Sequence, residues 1–445
     1  MTVSRLWLLA LAAFAATGCD EGRQNPPDVA VRVLNVAPGY PELFFRREQT
    51  SYDPQGGLTF QSAAREVYDE DTYDFYVDER DLATGRILAN KWSFRKEIVG
   101  GTVYTFVLVQ VGSEVQPVIL EADPPAQNST STQVYALHAA EGVPALDIFF
   151  EAPGTDILGA VPWGTVSFLG TLPPRTVPPG DYEITVTEAG NRANVLLRSG
   201  AFGLGAPEST AFVIASLGGE GIAPISVVGL NSGGGVLSNA NAQAAVRVIN
   251  GADDGAPRDV AFGGEFSPPL FSAVPSAAPT AYAQRAPGTE VQVNVTPAGN
   301  PGVLEVDQKI NLTATRKHTM LISGPTGTLT AAYITDDDRR LLKGAQLRSY
   351  NAASQFAALD FLVIPADVDP TAAGAVASLS PGTIGLPANY PPGDYNIWLR
   401  QFLTTTIVAG PVPVTMTAAG IFGVLATNGP DAATATITLV DDFAP

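Results

Sequence analysis

The chain has 445 residues, 45% of them apolar, and carries 25 Lys and Arg against 44 Asp and Glu, a formal net charge of −19. This acidic balance repels phosphate backbones, so we expect no nucleic-acid partner. The chain is longer than one hydrophobic core usually serves, and we therefore expect several domains.

The first 18 residues have the layout of a secretory signal peptide. Arg5 precedes an apolar run from Leu6 to Ala16, which is shorter than the roughly 20 residues that span a bilayer. Small residues lead directly to Cys19, and this pattern resembles the lipobox of bacterial lipoproteins. The resemblance implies cleavage before Cys19 and acylation of it, which would anchor the chain in a membrane. The alternative is a signal peptide that releases a soluble protein.

Cys19 is the only cysteine, so no disulfide and no cysteine-rich metal site competes for it. Asp20 resembles the signal that retains lipoproteins in the inner membrane of enteric bacteria. Sorting rules differ between bacterial groups, so Asp20 does not decide the membrane. We favour the outer membrane or cell surface and leave the inner membrane open. Residues 19–27 are then the lipidated cysteine and a polar tether.

Strand patterns dominate the rest of the chain. Apolar residues alternate with polar ones over residues 31–36, 182–187 and 291–295. This period of two predicts strands with one face on a core and the other in water. Such runs recur between Gly and Pro turns without a long helical period, which predicts an all-β fold.

The pentapeptide Pro-Pro-Gly-Asp-Tyr occurs twice, at residues 178–182 and 391–395, an offset of 213 residues. The same offset relates two further pairs of landmarks: Gln133 with Gln346, and the Ala-Leu-Asp triplets that begin at Ala145 and Ala358. A similar offset of 215 relates residues 30–35 to 245–250. The chain therefore has the pattern of a duplicated pair of modules.

We predict four tandem immunoglobulin-like (Greek-key) β-sandwich modules, each near the usual size of that fold. Their predicted bounds are residues 28–122, 132–230, 244–337 and 345–443. Predicted linkers, rich in Pro, Gly, Ser or charge, are residues 123–132, 231–243 and 336–344.

The repeated pentapeptide is interpreted as scaffold. Its prolines lack backbone donors and end the preceding strand, and Gly180 and Gly393 permit the turn. Tyr182 and Tyr395 follow two positions later, a layout that resembles the tyrosine corner of Greek-key sandwiches.

Several short motifs together resemble the bacterial immunoglobulin-like modules of domain of unknown function 4397. They are VPWGTVS at 161–167, PPGDYEITVTEAG at 178–190, YDFYV at 73–77 and GGTVYT at 100–105. Two positions depart from the pattern. Glu290 in the third predicted module stands where other modules have the tyrosine after the turn, and Asp71 in the first stands at the position of the turn glycine. The family has no established activity, so the resemblance implies fold and envelope location only.

No catalytic motif stands out, and we predict no enzyme and no cofactor. The only two histidines, His138 and His318, fall in different predicted modules, which disfavours a Ser-His-Asp triad or a histidine metal centre. A carbohydrate-active enzyme needs only two carboxylates and stays as the alternative, together with a carbohydrate-binding protein that uses carboxylates and exposed aromatics.

Two kinds of candidate binding residue remain. Acidic runs at 69–71, 253–254 and 336–338 are candidate calcium sites, with Asp336, Asp337 and Asp338 as the main candidates, although solvated charge neutralised by Arg339 and Arg340 is favoured. Strand alternation turns Trp398 and Tyr76 outward, toward a ligand or a neighbouring module. We therefore expect a lipid-anchored envelope protein with a binding, adhesion or spacer surface for a protein or glycan ligand.

Overall fold

The computed structural model describes residues 29–47, 57–124, 126, 129–205, 207–219, 222–231, 235–264 and 268–440. The predicted signal peptide, Cys19, Asp20 and the tether lie outside these residues. Within them every regular element is a β-strand, and no helix is long and apolar enough to cross a membrane. The predicted all-β class is therefore confirmed.

The strands of the described residues form eight sheets, which face one another in pairs around shared apolar cores. The first sheet pair contains β1 (Val29–Asn35), β2 (Glu42–Arg47), β3 (Leu58–Thr59), β4 (Ala63–Tyr68), β5 (Asp71–Arg80), β6 (Ile87–Ile98), β7 (Val103–Val111) and β8 (Glu114–Ala122). Its two sheets have the orders β4-β1-β7-β8 and β3-β2-β5-β6.

The second sheet pair contains β9 (Thr132–Ala139), β10 (Leu146–Glu151), β11 (Gly164–Val166), β12 (Thr171–Val177), β13 (Gly180–Glu188), β14 (Asn191–Arg198), β15 (Phe202–Leu204), β16 (Ser209–Ser216), β17 (Ile225–Leu230) and β18 (Gly235–Leu237). Its sheets have the orders β12-β9-β16-β17-β18 and β11-β10-β13-β14, with β15 also paired to β13. Strand β18 lies inside the stretch 231–243, so the prediction that this stretch is only a linker was wrong. The Gly-rich composition of this stretch gives no sign of the short edge strand that pairs with β17.

The third sheet pair contains β19 (Ala244–Ala252), β20 (Arg258–Phe262), β21 (Phe271–Val274), β22 (Ala283–Arg285), β23 (Gly288–Pro297), β24 (Val306–Leu312), β25 (Lys317–Gly324) and β26 (Thr330–Thr335). The fourth contains β27 (Ala345–Asn351), β28 (Leu359–Pro365), β29 (Ala377–Leu379), β30 (Thr383–Ile384), β31 (Ala388–Tyr390), β32 (Gly393–Gln401), β33 (Ile407–Met416), β34 (Ile421–Asn428) and β35 (Ala435–Val440).

The same strand pairing recurs in all four sheet pairs. The first strand of each runs parallel to a later one, giving the combinations β1–β7, β9–β16, β19–β25 and β27–β34. The third sheet pair has the orders β22-β19-β25-β26 and β21-β20-β23-β24, and the fourth has β30-β27-β34-β35, with β31 also on β27, and β29-β28-β32-β33.

The outer faces of these first strands are also covered. One apolar cluster joins the β1–β7 sheet to the β9–β16 sheet, and it includes Leu34 and Val36 on one side and Leu137 on the other. A second cluster joins the β19–β25 sheet to the β27–β34 sheet. The expectation that the second face of residues 31–36 meets water was therefore wrong, because the neighbouring sheet pair buries it.

The segment 336–344, predicted as a linker, packs against the first half of the chain. Leu342 donates its N–H to the oxygen of Gly39 at 2.9 Å and packs against the core of the first sheet pair. Arg339 forms a bridge with Gly219, and Lys343 pairs with Glu79 at 2.7 Å. The two duplicated halves thus contact each other through this segment.

A candidate ligand-binding cleft at Trp163

A cleft of about 590 Å³ opens at one edge of the second sheet pair. Glu151 at the end of β10 and Trp163 just before β11 come from one sheet, whereas Arg175 comes from β12 of the facing sheet. The loop between β10 and β11 supplies the remaining wall, including Asp156. The cleft therefore lies between edge strands, where side chains of both sheets meet solvent.

Trp163 is held at its base by both backbone and ring contacts. Its N–H donates to the oxygen of Ile148 at 2.7 Å, and its ring meets Phe150 edge-on at a centroid distance of 5.9 Å. In the described part of the chain no acceptor takes its indole N–H, whereas the indole N–H of Trp92 donates to Glu114 at 2.7 Å. Trp163 can thus offer both an aromatic surface and a donor to a ligand.

Arginine side chains fix the loop that forms the wall. Arg192 donates to the oxygens of Ile157 and Leu158 at 3.0 and 2.6 Å, and Arg198 donates to the oxygen of Thr155 at 3.3 Å. Satisfied backbone carbonyls order this loop before a ligand arrives, which reduces the entropic cost of binding.

The polar groups of the cleft are mixed in charge. Glu151 and Asp156 bring carboxylates and Arg175 brings a guanidinium that also donates to the oxygen of Phe150 at 3.3 Å. Asp156 has a structural task as well, because it accepts the N–H of Leu158 at 3.0 Å. An aromatic side chain among hydrogen-bonding groups suits a hydroxylated ligand such as a sugar.

The sequence-predicted aromatic residues lie elsewhere. Tyr76 on β5 is half-buried, and the guanidinium of Arg46 covers its ring at 4.5 Å from the centroid. Trp398 on β32 is also half-buried, close beside Gly410 of the adjacent strand. The structure does not bring either of them to the Trp163 cleft.

The three acidic candidates at 336–338 each meet a different cation. Asp336 is fully buried against Arg348, Asp337 pairs with Arg339 at 2.7 Å, and Asp338 pairs with Lys317 at 3.3 Å. Burial acts to raise the pKa of Asp337, but its hydrogen bonds from Arg339 prevail and lower it. The described residues contain no group of three or more His, Cys, Asp or Glu that could hold a metal ion.

The two tyrosines of the repeated pentapeptide make equivalent contacts. Tyr182 donates its hydroxyl to the oxygen of Pro178 at 2.7 Å, and Tyr395 donates to the oxygen of Pro391 at 3.0 Å. Gly180 and Gly393 begin strands β13 and β32, so each glycine directly follows the proline turn. These residues shape the chain and lie outside the candidate cleft.

Both histidines are buried in separate sheet pairs. His138 accepts the N–H of Ala140 through Nδ1 at 3.2 Å, and His318 accepts the N–H of Thr313 through Nε2 at 3.1 Å. Burial lowers the pKa of each imidazole. Neither ring lines the candidate cleft.

Comparisons with known proteins give one family match. Residues 244–362 match the family described as Domain of unknown function (DUF4397). This segment is DUF4397-like. It spans the third sheet pair and, in the fourth, β27 and the first four residues of β28. No curated protein sequence matches the chain.

Two solved structures show weak similarity. The Bacillus anthracis TIE protein is 10% identical, with a TM-score of 0.16, over 87% of this chain and 68% of its own. A Bacteroides fragilis NCTC 9343 protein described as a putative cell adhesion protein is 12% identical, with a TM-score of 0.16, over 69% of this chain and 97% of its own. TM-scores this low do not establish a shared fold.

Sequence reasoning missed the Trp163 cleft. In the sequence Trp163 is part of the motif at 161–167, and nothing near Arg175 marks it as a binding residue. A usable signal was present, because two carboxylates and a tryptophan occur within 13 residues, at 151–163, on a loop after an apolar strand.

Proposed function

We propose that the chain is a non-catalytic binding protein of the bacterial cell envelope, which presents the Trp163 cleft to a glycan ligand. The observation that carries this proposal is the cleft itself. It is lined by the Trp163 indole with an available N–H, two carboxylates and the guanidinium of Arg175, and arginines hold the loop that forms its wall. Aromatic surface combined with a few fixed polar groups is the usual composition of a small-ligand site.

The architecture behind the cleft is proposed to be four immunoglobulin-like modules in two duplicated pairs. Four apolar cores, each shared by two sheets, support this count. Within each half the modules lie sheet against sheet, so the cleft stands on a stiff frame. Such a frame suits a protein that displays a surface for adhesion or binding.

The envelope location rests on the first twenty residues. The apolar run and the small residues before Cys19 are the basis for proposing export, cleavage and a lipid anchor. Mass spectrometry of the mature N-terminus tests this directly: a mass matching acylated Cys19 is expected, and an unmodified cysteine contradicts the anchor.

Binding is tested by a screen of envelope glycans against the full chain in detergent micelles. We expect at least one glycan to bind, and Trp163→Phe to weaken it about tenfold because the indole N–H is lost. Trp398→Phe makes the same chemical change in the fourth sheet pair and serves as the matched control. Loss of binding in the control, but not in Trp163→Phe, would contradict the assignment of the cleft.

A carbohydrate-active enzyme is the second candidate, because Glu151 and Asp156 line the same cleft. It predicts slow release of reducing ends from the bound glycan, abolished by Glu151→Gln. The binding proposal predicts no release by the wild type.

A further inference from the structure

A second cleft lies between the first and second sheet pairs and differs from the Trp163 cleft in charge. Its volume is about 450 Å³, and strands β4, β17 and β18 line it with Arg32 and Arg65. No carboxylate occurs among its described lining residues, although the whole chain has a net charge of −19. The cleft is thus a cationic site on an acidic protein.

The two arginines are directly opposite each other in the sheet. Arg32 on β1 pairs with Arg65 on β4 in the antiparallel register, so both side chains lie on the face that turns toward the second sheet pair. Like charges in such cross-strand positions destabilise a sheet. Within the described residues neither arginine has a carboxylate within ion-pairing distance.

Arg32 is held firmly by neutral groups. Its Nε donates to Thr105 at 3.1 Å, one terminal nitrogen donates to the oxygens of Ser209 and Leu230 at 2.9 and 2.6 Å, and the other donates to Tyr135 at 2.5 Å. These contacts use four of its five N–H groups, and one remains for a ligand. Arg65 is exposed at the mouth of the cleft.

The second half of the chain shows the same arginine in a closed site. Arg247 on β19 donates through Nε to Thr319 at 2.9 Å, which matches Arg32 and Thr105 in strand register. Its guanidinium stacks over Tyr282 at 5.0 Å, and that tyrosine donates to Asp336 at 2.8 Å. The space left there is about 10 Å³.

In the second half, the carboxylate of Asp336 therefore lies beside the guanidinium groups of Arg247 and Arg348. Thr319 donates to it at 2.8 Å, and Arg348 forms an ion pair with it. The described residues of the first half keep the arginine and the threonine, place no carboxylate in the lining of this cleft, and leave the cleft open. The internal comparison indicates that an external carboxylate completes the first site.

We infer that the Arg32–Arg65 cleft binds the carboxylate of a sugar acid. Guanidinium groups bind carboxylates with charge-assisted, often bidentate hydrogen bonds. Gln61, whose side-chain nitrogen donates to the hydroxyl of Ser226 at 2.5 Å, adds an amide group to the wall, and about 450 Å³ is adequate for a small saccharide. The inference does not rest on the Trp163 cleft.

Titration of D-glucuronate into the full chain in micelles, followed by calorimetry, tests the inference. We expect glucuronate to bind and glucose to show no binding. Arg65→Gln should weaken glucuronate binding at least tenfold, because a charged donor is lost. Arg95→Gln, which removes a distant exposed charge, should leave the affinity unchanged. Equal affinity of wild type and Arg65→Gln would overturn the inference.

A second variant tests the internal comparison without removing an arginine. Ala63 is exposed on β4, two residues before Arg65 on the same face, so Ala63→Glu brings a carboxylate to the cleft. We expect loss of glucuronate binding together with a higher melting temperature. Unchanged glucuronate affinity in this variant would overturn the inference.

Two further ligands test which kind of anion the cleft binds. Inorganic phosphate should bind at least tenfold more weakly than glucuronate, and an Asp-rich peptide should not bind. Equal binding of phosphate, or binding of the peptide without binding of glucuronate, would overturn the assignment to a sugar acid. Trp163→Phe should leave glucuronate binding intact, which separates this site from the proposed glycan cleft.

Discussion

His138 and Asn351, 213 residues apart, hold the same turn in two different sheet pairs. His138 accepts the N–H of Ala140 at 3.2 Å, and Asn351 accepts the N–H of Ala353 at 2.9 Å. The other end of each side chain bonds a loop carbonyl, of Pro144 and Leu379 respectively. Asn35 and Asn250 make equivalent contacts in the first and third sheet pairs.

The imidazole of His138 thus replaces a carboxamide. Because Nδ1 accepts the N–H of Ala140, the ring proton lies on Nε2 and is donated to Pro144, and the ring is neutral. These two hydrogen bonds explain the presence of His138 without a catalytic or metal-binding role.

His138→Asn should reduce the loss of stability in acid. Burial lowers the pKa of His138 in the folded chain, so below about pH 6.5 the unfolded chain binds the proton first and stability falls. Asparagine keeps both hydrogen bonds and does not titrate. The melting temperature should fall less between pH 8 and pH 5 in the variant than in the wild type. His318 contributes to the acid destabilisation of both proteins. An identical fall in both proteins would contradict this account.

Asp147→Ala should destabilise the second sheet pair. The buried carboxylate of Asp147 accepts the hydroxyl of Thr165 at 2.5 Å and the N–H of Gly190 at 2.8 Å. Truncation leaves both donors without this acceptor, and we expect the free energy of unfolding to fall by about 1–3 kcal/mol in denaturant titrations. Asp394→Ala removes an exposed acceptor and should cost less than about 0.5 kcal/mol. Equal effects would refute the explanation.

Asp336→Asn should be one of the most damaging single changes in the second half. It leaves the buried guanidinium of Arg348 without its counter-charge, and breaking such a pair costs about 3–5 kcal/mol. Asp338→Asn, at a partly exposed pair with Lys317, is the milder control. Because arginine already holds Asp336, adding calcium should leave the melting temperature unchanged. A calcium-dependent rise that Asp336→Asn abolishes would contradict the assignment.

Gly39→Ala should loosen the contact between the duplicated halves. A Cβ at Gly39 would lie 2.6 Å from Cγ of Leu342 and 2.7 Å from the side-chain oxygen of Gln110. We expect faster hydrogen exchange in residues 336–344 with little change in the cores. Gly374→Ala, where an added Cβ meets nothing within 4 Å, is the control. Unaltered exchange in Gly39→Ala would show that the segment does not dock as described.

Much of the fold could be predicted because its signals are local. Strand alternation and the proline turns are set by neighbouring residues, and the repeat offset is visible in the sequence itself. The burial of both faces of the first strands could not be predicted, because the covering sheet is distant in sequence. One sign was present: Leu34 and Val36 are apolar at positions assigned to water.

The candidate sites depend on long-range proximity. Arg175 reaches the Trp163 cleft from a different sheet, and Arg32 meets Arg65 only through strand register. No regular spacing of residues in the sequence predicts either of these contacts. The acidic run at 336–338 misled for the converse reason, since adjacent carboxylates point to separate cations.

Hydrogen–deuterium exchange of the full chain, with and without a glycan that it binds, tests the central claim most directly. We predict slower exchange in residues 151–163 and around Arg175, with the glycan recovered intact. Protection confined to other surfaces, or a cleaved glycan, would contradict the claim that the Trp163 cleft is a non-catalytic binding site.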